Sequence, residues 1–327
     1  MTFPAVDARS LSRAFGTRTA LKEVTFSVAR GEIFALLGPN GGGKTTLFRI
    51  LATLLPPHAG SFSIDGLDPT AAGGAVRRRL GVVFQAPSLD KKLTIGENLA
   101  LQGDLYGLPS RARAPRIRDL LEMFRLEDRA GDLVETLSGG LARRVEIAKA
   151  LLHAPPVLLL DEPSTGLDPG ARRDLIDALA SLARAGTAIL LTTHLFEEAE
   201  AAHRIGLLDR GRLLALDTPA ALKATLGGDV VTVEAKDDAG APALAAGIES
   251  RFGAEAGRIT VMGPTVRVER EAAHTFVPRL VEAFPGAFKS VTLGAPSLED
   301  VFIAKTGRRF READAPDGGH GAGASVT

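Results

Sequence analysis

The chain has 327 residues, enough for two domains with cores of ordinary size, and its 39 Lys and Arg side chains balance its 39 Asp and Glu side chains. This neutral balance excludes an overall attraction to nucleic acid or to an anionic membrane, and the absence of cysteine excludes disulfides, thiolate metal sites and thiol catalysis. The sequence has neither a signal-peptide pattern nor an apolar run near the ~18 residues of a membrane span, so we expect a soluble chain for which any membrane role requires a partner.

The first predicted elements are two strands and a helix, with a glycine-rich loop before the helix. Residues 21–28 alternate apolar and polar side chains, which predicts a half-buried antiparallel strand. Residues 32–37 are predicted to form a buried strand that runs directly into the loop. Residues 45–55 have the apolar spacing of a helix, which Pro56 and Pro57 end.

Further strands are predicted to alternate with helices. The strand patterns cover residues 80–85, 157–161, 187–192 and 205–208, and this alternation is typical of a mainly parallel α/β sheet. Residues 94–152 contain helical patterns and no convincing strand, which indicates an inserted helical subdomain. In a parallel sheet of this kind, phosphate groups bind at the C-terminal ends of the strands.

The pattern changes after Gly227 and Gly228. The following elements are predicted as strand, helix, two strands, helix and strand, in the order 230–235, 244–252, 258–262, 265–269, 274–284 and 290–293. This β-α-β-β-α-β order predicts a small ferredoxin-like α+β domain. We therefore predict one domain over residues 1–227, a second over 228–306, and a disordered tail over 307–327, which has hardly an apolar side chain.

The loop after the buried strand fits the phosphate-binding pattern G-x-x-x-x-G-K-[ST]. In this pattern glycines let backbone N–H groups turn toward phosphate, Lys44 reaches the β- and γ-phosphates, and Thr45 meets Mg²⁺. The predicted strand before the loop and the helix after it supply the context that the motif requires. We therefore expect ATP to contact Gly38, Pro39, Asn40, Gly41, Gly42, Gly43, Lys44, Thr45 and Thr46.

Two adjacent acids follow the apolar strand at residues 157–160. Asp161 would lie at the strand tip and hold Mg²⁺ with its water shell, and Glu162 would lie where a water can attack the γ-phosphate. The alternative is two solvated acids at the end of a strand. The phosphate-binding loop upstream favours the catalytic interpretation.

A third motif opens a predicted helix. Ser138 is suited to cap the helix, and Gly139 and Gly140 leave backbone N–H groups uncovered at the positive end of the helix dipole. Such an end can bind an anion. The alternative is an ordinary capped helix.

Together with Leu137, these residues resemble the Leu-Ser-Gly-Gly-Gln signature of the ABC ATPase family, with Leu141 in place of Gln. The resemblance covers residues 5 to about 225 and implies a P-loop NTPase fold of ABC type, with an antiparallel β subdomain. It also implies a homodimer packed head to tail, in which Ser138, Gly139 and Gly140 of one copy cap the γ-phosphate held by the phosphate-binding loop of the other.

The resemblance implies roles for four more residues. Gln85 matches the family's Q-loop and would contact Mg²⁺ or the attacking water, and Asp168 matches the D-loop at the subunit contact. His194 matches the switch histidine near the γ-phosphate, and Phe15 matches the aromatic residue that stacks on adenine. The alternatives are a surface glutamine, a helix cap, a structural histidine and a core phenylalanine.

The C-terminal region resembles a particular subfamily. Residues 296–302, Pro-Ser-Leu-Glu-Asp-Val-Phe, look like a segment of the type-2 export ATPases, which include daunorubicin-resistance-type and sodium-export-type subunits. This resemblance implies ATP hydrolysis at the cytoplasmic face of the cell membrane that powers export of a drug, lipid, polysaccharide or ion through a separate integral membrane permease. Residues 86–99 would lie where such ATPases grip that permease.

Two other functions stay open at this point. One is a soluble ABC ATPase acting in translation or DNA maintenance, although such proteins usually carry a second nucleotide domain, a long coiled coil or a zinc insertion, and the sequence shows none of these. The other is a regulatory module that binds nucleotide without hydrolysing it. The presence of Glu162 and His194 argues against this second function. We expect no nucleic acid partner.

Overall fold

The computed structural model describes residues 3–310. Residues 3–38 and 42–219 form one compact unit, and residues 220–310 form a second, to which residues 39–41 are also assigned. No helix within residues 3–310 is both long enough and apolar enough to cross a membrane. The predicted domain boundary at Gly227 and Gly228 lies directly before a strand that begins at Asp229.

The elements of the first unit combine strands and helices throughout its length. In chain order they are β1 (Val6–Phe15), β2 (Arg18–Val28), β3 (Ile33–Leu37), α1 (Lys44–Leu51), β4 (Ala59–Ile64), α2 (Pro69–Arg78), β5 (Leu80–Val83), α3 (Ile95–Leu105), α4 (Ser110–Met123), α5 (Gly139–Leu151), β6 (Val157–Asp161), α6 (Pro169–Arg184), β7 (Ala188–Thr193), α7 (Phe196–Glu200), β8 (Arg204–Asp209) and β9 (Arg212–Asp217). A short helix, α8 (Pro219–Ala224), follows.

The central sheet has six strands in the order β5-β6-β7-β3-β8-β9. Its first five strands are parallel, and β9 pairs antiparallel with β8. Strands β3, β6 and β7 are buried along their whole length, as their continuous apolar runs predict for a sheet covered on both faces. The predicted parallel α/β sheet is confirmed.

A second sheet of the first unit is antiparallel, with three strands in the order β2-β1-β4. Only β2 was predicted, because the other two strands lack a regular alternation. Strand β1 has register shifts between Ala8 and Leu11, and Ser10 has a positive φ of 50°. Strand β4 begins with three exposed residues. The edge strand β9, also not predicted, is half-buried at four successive positions and so has no period of two.

Helices α3, α4 and α5 occupy residues 95–151 without an intervening strand, which confirms the inserted helical subdomain. Helix α1 is shorter than predicted. It ends at Leu51 rather than at residue 55, because Thr53 adopts a left-handed φ of 60° that a continuing helix does not allow.

The second unit contains one four-stranded antiparallel sheet in the order β11-β12-β10-β13. Its elements are β10 (Asp229–Ala235), α9 (Gly240–Phe252), β11 (Arg258–Met262), β12 (Thr265–Arg270), α10 (Ala273–Ala283), β13 (Phe288–Gly294) and α11 (Leu298–Thr306). The first six follow the order β-α-β-β-α-β, and apolar side chains of α9 and α10 pack on the sheet. Helix α11 begins with a capping box between Ser297 and Asp300.

The end of the second unit differs from the predicted disordered tail. Gly307 ends α11 with a left-handed φ of 72°. Phe310 is buried and packs edge to face on Phe302, with ring centroids 4.9 Å apart. The first residues of the predicted tail therefore belong to the folded unit, because Phe310 supplies an apolar anchor. The rest of that tail, residues 311–327, lies outside the described residues.

Candidate nucleotide-binding site

The loop between β3 and α1 has a backbone that only glycine accommodates at two positions. Gly43 has a φ of 110°, and a Cβ atom there would lie 2.7 Å from the carbonyl oxygen of Ala20. A Cβ atom at Gly38 would lie 2.1 Å from the carbonyl oxygen of Leu208. The loop is thus a tightly supported turn that leads straight into the N-terminus of α1, where backbone N–H groups favour anions.

Lys44 is almost completely buried, with only 4% of its surface exposed. Its Nζ donates a hydrogen bond of 2.5 Å to the carbonyl oxygen of Gly38 and lies 3.7 Å from Oε1 of Glu162. A buried ammonium group is costly unless it is paired. Lys44 is therefore held at the junction of the glycine loop and the end of β6, positioned to meet a charged phosphate.

Glu162 follows β6 directly and adopts a left-handed conformation with a φ of 47°. This conformation is strained for a side chain other than glycine and is often found at functional sites. Its N–H group donates to the carbonyl oxygen of Thr192 at 3.1 Å and to the Oγ1 of Thr192 at 3.0 Å. The adjoining strand β7 thus holds the backbone from which the Glu162 carboxylate projects.

Three polar side chains surround the Glu162 carboxylate. Gln85 Nε2 and Thr165 Oγ1 each donate to Oε2 of Glu162 at 3.3 Å, and His194 Nδ1 lies 3.4 Å from the same oxygen. The structure therefore brings together Lys44, Gln85, Glu162 and His194, four residues that were selected from widely separated parts of the sequence.

Asp161 is the last residue of β6 and is buried. Its Oδ1 accepts a hydrogen bond of 2.5 Å from Thr192 Oγ1. Burial raises the pKa of the Asp161 carboxyl group above its usual value, and this effect outweighs the opposing effects of the Thr192 hydrogen bond and of Lys44. Carboxylate and hydroxyl oxygens are ligands that suit Mg²⁺, so Asp161 at the end of β6 and Thr45 in the first turn of α1 are candidate ligands.

Comparisons with known proteins agree with this geometry. Residues 21–165 match the family model described as ABC transporter. The chain is 38% identical to a daunorubicin resistance ATP-binding protein of Streptomyces coeruleorubidus, over 96% of this chain and 100% of that protein. The chain belongs to the ABC transporter family of ATP-binding proteins.

Two other relatives extend the range of named functions. The chain is 33% identical to a linearmycin resistance ATP-binding protein of Bacillus subtilis, over 94% of this chain and 100% of that protein. It is 38% identical to a Nod factor export ATP-binding protein of Ralstonia nicotianae, over 94% of this chain and 96% of that protein. These relatives place the chain in the type-2 export group of ABC ATPases.

Solved ABC structures share the fold. The structure of an ATP-binding subunit of an ABC transporter is 33% identical, with a TM-score of 0.62, and covers 68% of this chain and 92% of that one. A dimeric ATP-binding cassette in a post-hydrolysis state, bound to ADP and Pi, is 29% identical, with a TM-score of 0.59, over 65% of this chain and 98% of that one. The chain is accordingly an ABC ATPase that binds and hydrolyses ATP.

The ABC signature residues lie at the start of α5. Ser138 Oγ accepts a hydrogen bond of 3.4 Å from the N–H group of Leu141, as expected of an N-cap. Ser138 and Gly139 are exposed, and nothing lies within 4 Å of a Cβ atom placed at Gly139. The N-terminus of this ABC signature helix is therefore open to an approaching group.

Two residues of the expected ABC site, Asp168 and Phe15, are exposed. Asp168 caps α6, because its Oδ1 accepts a hydrogen bond of 3.0 Å from the N–H group of Ala171. That hydrogen bond also lowers the pKa of Asp168. Phe15 is 49% exposed, and the guanidinium carbon of Arg13 lies 5.1 Å from its ring centroid. An exposed ring is available for stacking, which a core phenylalanine would not be.

One buried residue of this ABC ATPase was not selected from the sequence. Arg143 lies in α5, is 8% exposed, and donates hydrogen bonds to the backbone on both sides of Glu162. The sequence does indicate that Arg143 is buried and paired, because Arg143 and Glu146 stand three positions apart among apolar residues that predict a buried helix face. Their partners, however, are carbonyl groups from distant segments, which no local pattern reveals.

We predict that Asp161→Asn raises the melting temperature of the nucleotide-free protein and removes its stabilisation by MgATP. The raised pKa means that the folded state binds protons more tightly than the unfolded state, so the ionised carboxylate reduces stability near neutral pH. An uncharged amide removes that cost but also removes the carboxylate expected to bind Mg²⁺. At 100 times the dissociation constant, MgATP stabilises the parent by about 2.7 kcal/mol, which corresponds to roughly 5–10 °C for a domain of this size.

Thermal unfolding with and without MgATP measures both effects. Asp177→Asn, which changes an exposed carboxylate on α6, is the matched control and should leave both values unchanged. An Asp161→Asn variant that keeps the full MgATP shift would contradict the assignment of Asp161 to Mg²⁺.

Proposed function

We propose that ATP binding closes two copies of this chain at the cytoplasmic face of a cell membrane and that hydrolysis reopens them. The movement powers export of a drug, lipid, polysaccharide or ion through a separate integral membrane permease. The names of the relatives, which include daunorubicin resistance, linearmycin resistance and Nod factor export proteins, support export over a non-transport role.

The observation that carries the catalytic part of the proposal is the environment of Glu162. Its carboxylate accepts hydrogen bonds from Gln85 and Thr165 and lies close to His194 and Lys44. A carboxylate held in this way is suited to take a proton from an attacking water. In this proposal Glu162 is the general base, while Gln85 and His194 orient the water and sense the γ-phosphate.

The phosphate and metal contacts follow from the same arrangement. Backbone N–H groups of residues 40–46 and the buried Lys44 ammonium group would hold the phosphates, and Thr45, Gln85 and Asp161 would hold Mg²⁺. When bound, Mg²⁺ neutralises negative charge on the phosphates and their transition state. Phe15, with its ring exposed, would stack on adenine.

A second copy would complete each site. Ser138 and Gly139 are exposed at the N-terminus of α5, a helix of 13 residues, so their N–H groups can cap the γ-phosphate of another copy. Asp168 is exposed, and as the D-loop residue it would lie at the contact between the two copies. The dimeric cassettes among the solved structures support this homodimer.

Internal hydrogen bonds hold the segment proposed to grip the permease. Asn98 is buried, and its Nδ2 donates hydrogen bonds of 3.0 Å to the carbonyl oxygens of Asp90 and Thr94. Its Oδ1 accepts a hydrogen bond of 2.9 Å from the N–H group of Asp90. Asn98 lies in α3, and on the same helix Leu101 and Leu105 are 48% and 74% exposed, which offers an apolar surface.

We predict that Glu162→Gln lowers steady-state ATP hydrolysis by at least ~100-fold, the usual contribution of a general base, and traps an ATP-bound dimer. The amide keeps the size of the side chain but cannot accept the proton. Phosphate release measures turnover, and size-exclusion chromatography with ATP measures the dimer. Turnover at the parent rate would remove Glu162 as the base.

We also predict complementation between two inactive variants. Lys44→Ala removes the phosphate-binding ammonium group, and Ser138→Arg blocks the exposed end of α5, so each variant alone should lack ATPase activity. A heterodimer of the two has one intact site, because one chain supplies Lys44 and the other supplies Ser138. The mixture should therefore hydrolyse ATP, and no gain over either variant alone would contradict the shared site.

A further inference from the structure

Arg143 makes a set of hydrogen bonds that joins three segments of the first unit. The side chain projects from α5 and is buried. It donates to the Oε2 of Glu146 at 2.8 Å and to four carbonyl oxygens, those of Phe84 at 2.7 Å, Pro163 at 2.8 Å, Glu162 at 3.1 Å and Asp161 at 3.3 Å. Only a planar guanidinium group, with five N–H donors in a fixed fork, can serve so many acceptors at once.

These contacts hold the strained backbone of Glu162 in addition to the contacts from β7. Strand β7 holds the N–H group of Glu162 through Thr192, and Arg143 holds the carbonyl group of the same residue. Arg143 also donates to the carbonyl oxygens of the residues on either side, Asp161 and Pro163. A left-handed residue persists only where its surroundings specify it strongly, and Arg143 belongs to those surroundings.

The same helix also fixes the segment that carries Gln85. Arg143 binds the carbonyl oxygen of Phe84, directly before Gln85. Three residues after Gln85, the N–H group of Ser88 donates to Oε1 of Glu146 at 2.6 Å, and Lys149 Nζ donates to the carbonyl oxygen of Ser88 at 2.6 Å. The segment is thus anchored to α5 on both sides of the glutamine that contacts Glu162.

We propose that Arg143 is a positioning residue for hydrolysis, which sets the Glu162 carboxylate and the Gln85 amide of its own chain in the geometry for water attack. The inference rests on the proposed role of Glu162 as the base. Because the N-terminus of α5 faces the nucleotide of the second copy in that proposal, Arg143 also connects the closure of one site to the catalytic geometry of the other.

A purely structural role predicts something different. If Arg143 only stabilised α5, its loss would disturb the presentation of Ser138 to the second copy and would lower the stability of the chain. If Arg143 positions Glu162, its loss acts on the site to which its own chain contributes Lys44. The two roles therefore affect different sites of a dimer.

The first test compares Arg143→Lys with Arg144→Lys in the full chain. Lysine keeps a charge beside Glu146 but cannot reach four carbonyl groups. Arg144 lies next in the same helix and donates to Oδ2 of Asp174 at 2.6 Å, on α6, so it is a matched control. We expect Arg143→Lys to lower kcat by roughly 10–100-fold, as a small misplacement of a reacting group does. The Kd of Arg143→Lys for ATP should change less than about 2-fold, because binding does not need the attack geometry. The control Arg144→Lys should keep the parent rate.

The second test uses the pair of Lys44→Ala and Ser138→Arg chains. Their one intact site uses Lys44 and Glu162 of the Ser138→Arg chain and the signature residues of the Lys44→Ala chain. Adding Arg143→Lys to the Ser138→Arg chain should lower the rate of the mixture. Adding it to the Lys44→Ala chain should leave that rate unchanged.

Several results would overturn the proposal. In the first test, these are a kcat of Arg143→Lys equal to that of the parent, or a fall in ATP affinity or melting temperature that accounts for the lost rate. In the second test, it is a loss of ATPase rate when Arg143→Lys is placed only in the Lys44→Ala chain, or an equal loss when it is placed in either chain. A mixture without any activity would instead contradict the shared site of the proposed function. In that case the comparison of kcat and Kd in Arg143→Lys still decides the role of Arg143.

Discussion

Three parallel strands, β6, β7 and β3, end at the same edge of the central sheet, and their register brings the functional groups together. Asp161 pairs with Thr192, and Leu37 pairs with Thr193. The glycine loop after β3, the two acids at the end of β6 and the histidine after β7 therefore lie side by side, although more than 100 residues separate the first from the others. A shift of one residue in this register would turn every side chain to the opposite face, so the site depends on the buried apolar runs that fix it.

Much of this arrangement was predictable, because the sequence signals it with local patterns. Continuous apolar runs predict β3, β6 and β7, and the motif spacing predicts that Lys44 and Glu162 serve one ligand. The strands β1, β4 and β9 were not predicted, since bulges and half-exposed positions remove their alternation. The left-handed backbone of Glu162 and the contacts of Arg143 depend on distant carbonyl groups, and no short pattern encodes such contacts.

Helix α5 has two distinct roles along its length. Its exposed N-terminus carries the ABC signature and is available to a second copy, whereas its buried middle holds the backbone around Glu162 and Gln85 of its own chain. Leu141, which stands in place of the signature glutamine, leaves the N–H groups of Gly139 and Gly140 in place, so the proposed phosphate capping does not require that side chain. A single rigid helix can thus transmit closure at one ATP site to hydrolysis at the other.

In the proposed function each ATP site is built from two copies of the chain, and because the chain has no cysteine, introduced cysteines can test this directly. One Glu162→Gln chain would carry Asn40→Cys in the glycine loop, and another would carry Ser138→Cys at the start of α5. A disulfide between the two chains should form readily with MgATP and hardly at all without nucleotide. The same yield with and without MgATP, or no disulfide between the chains in either condition, would contradict it.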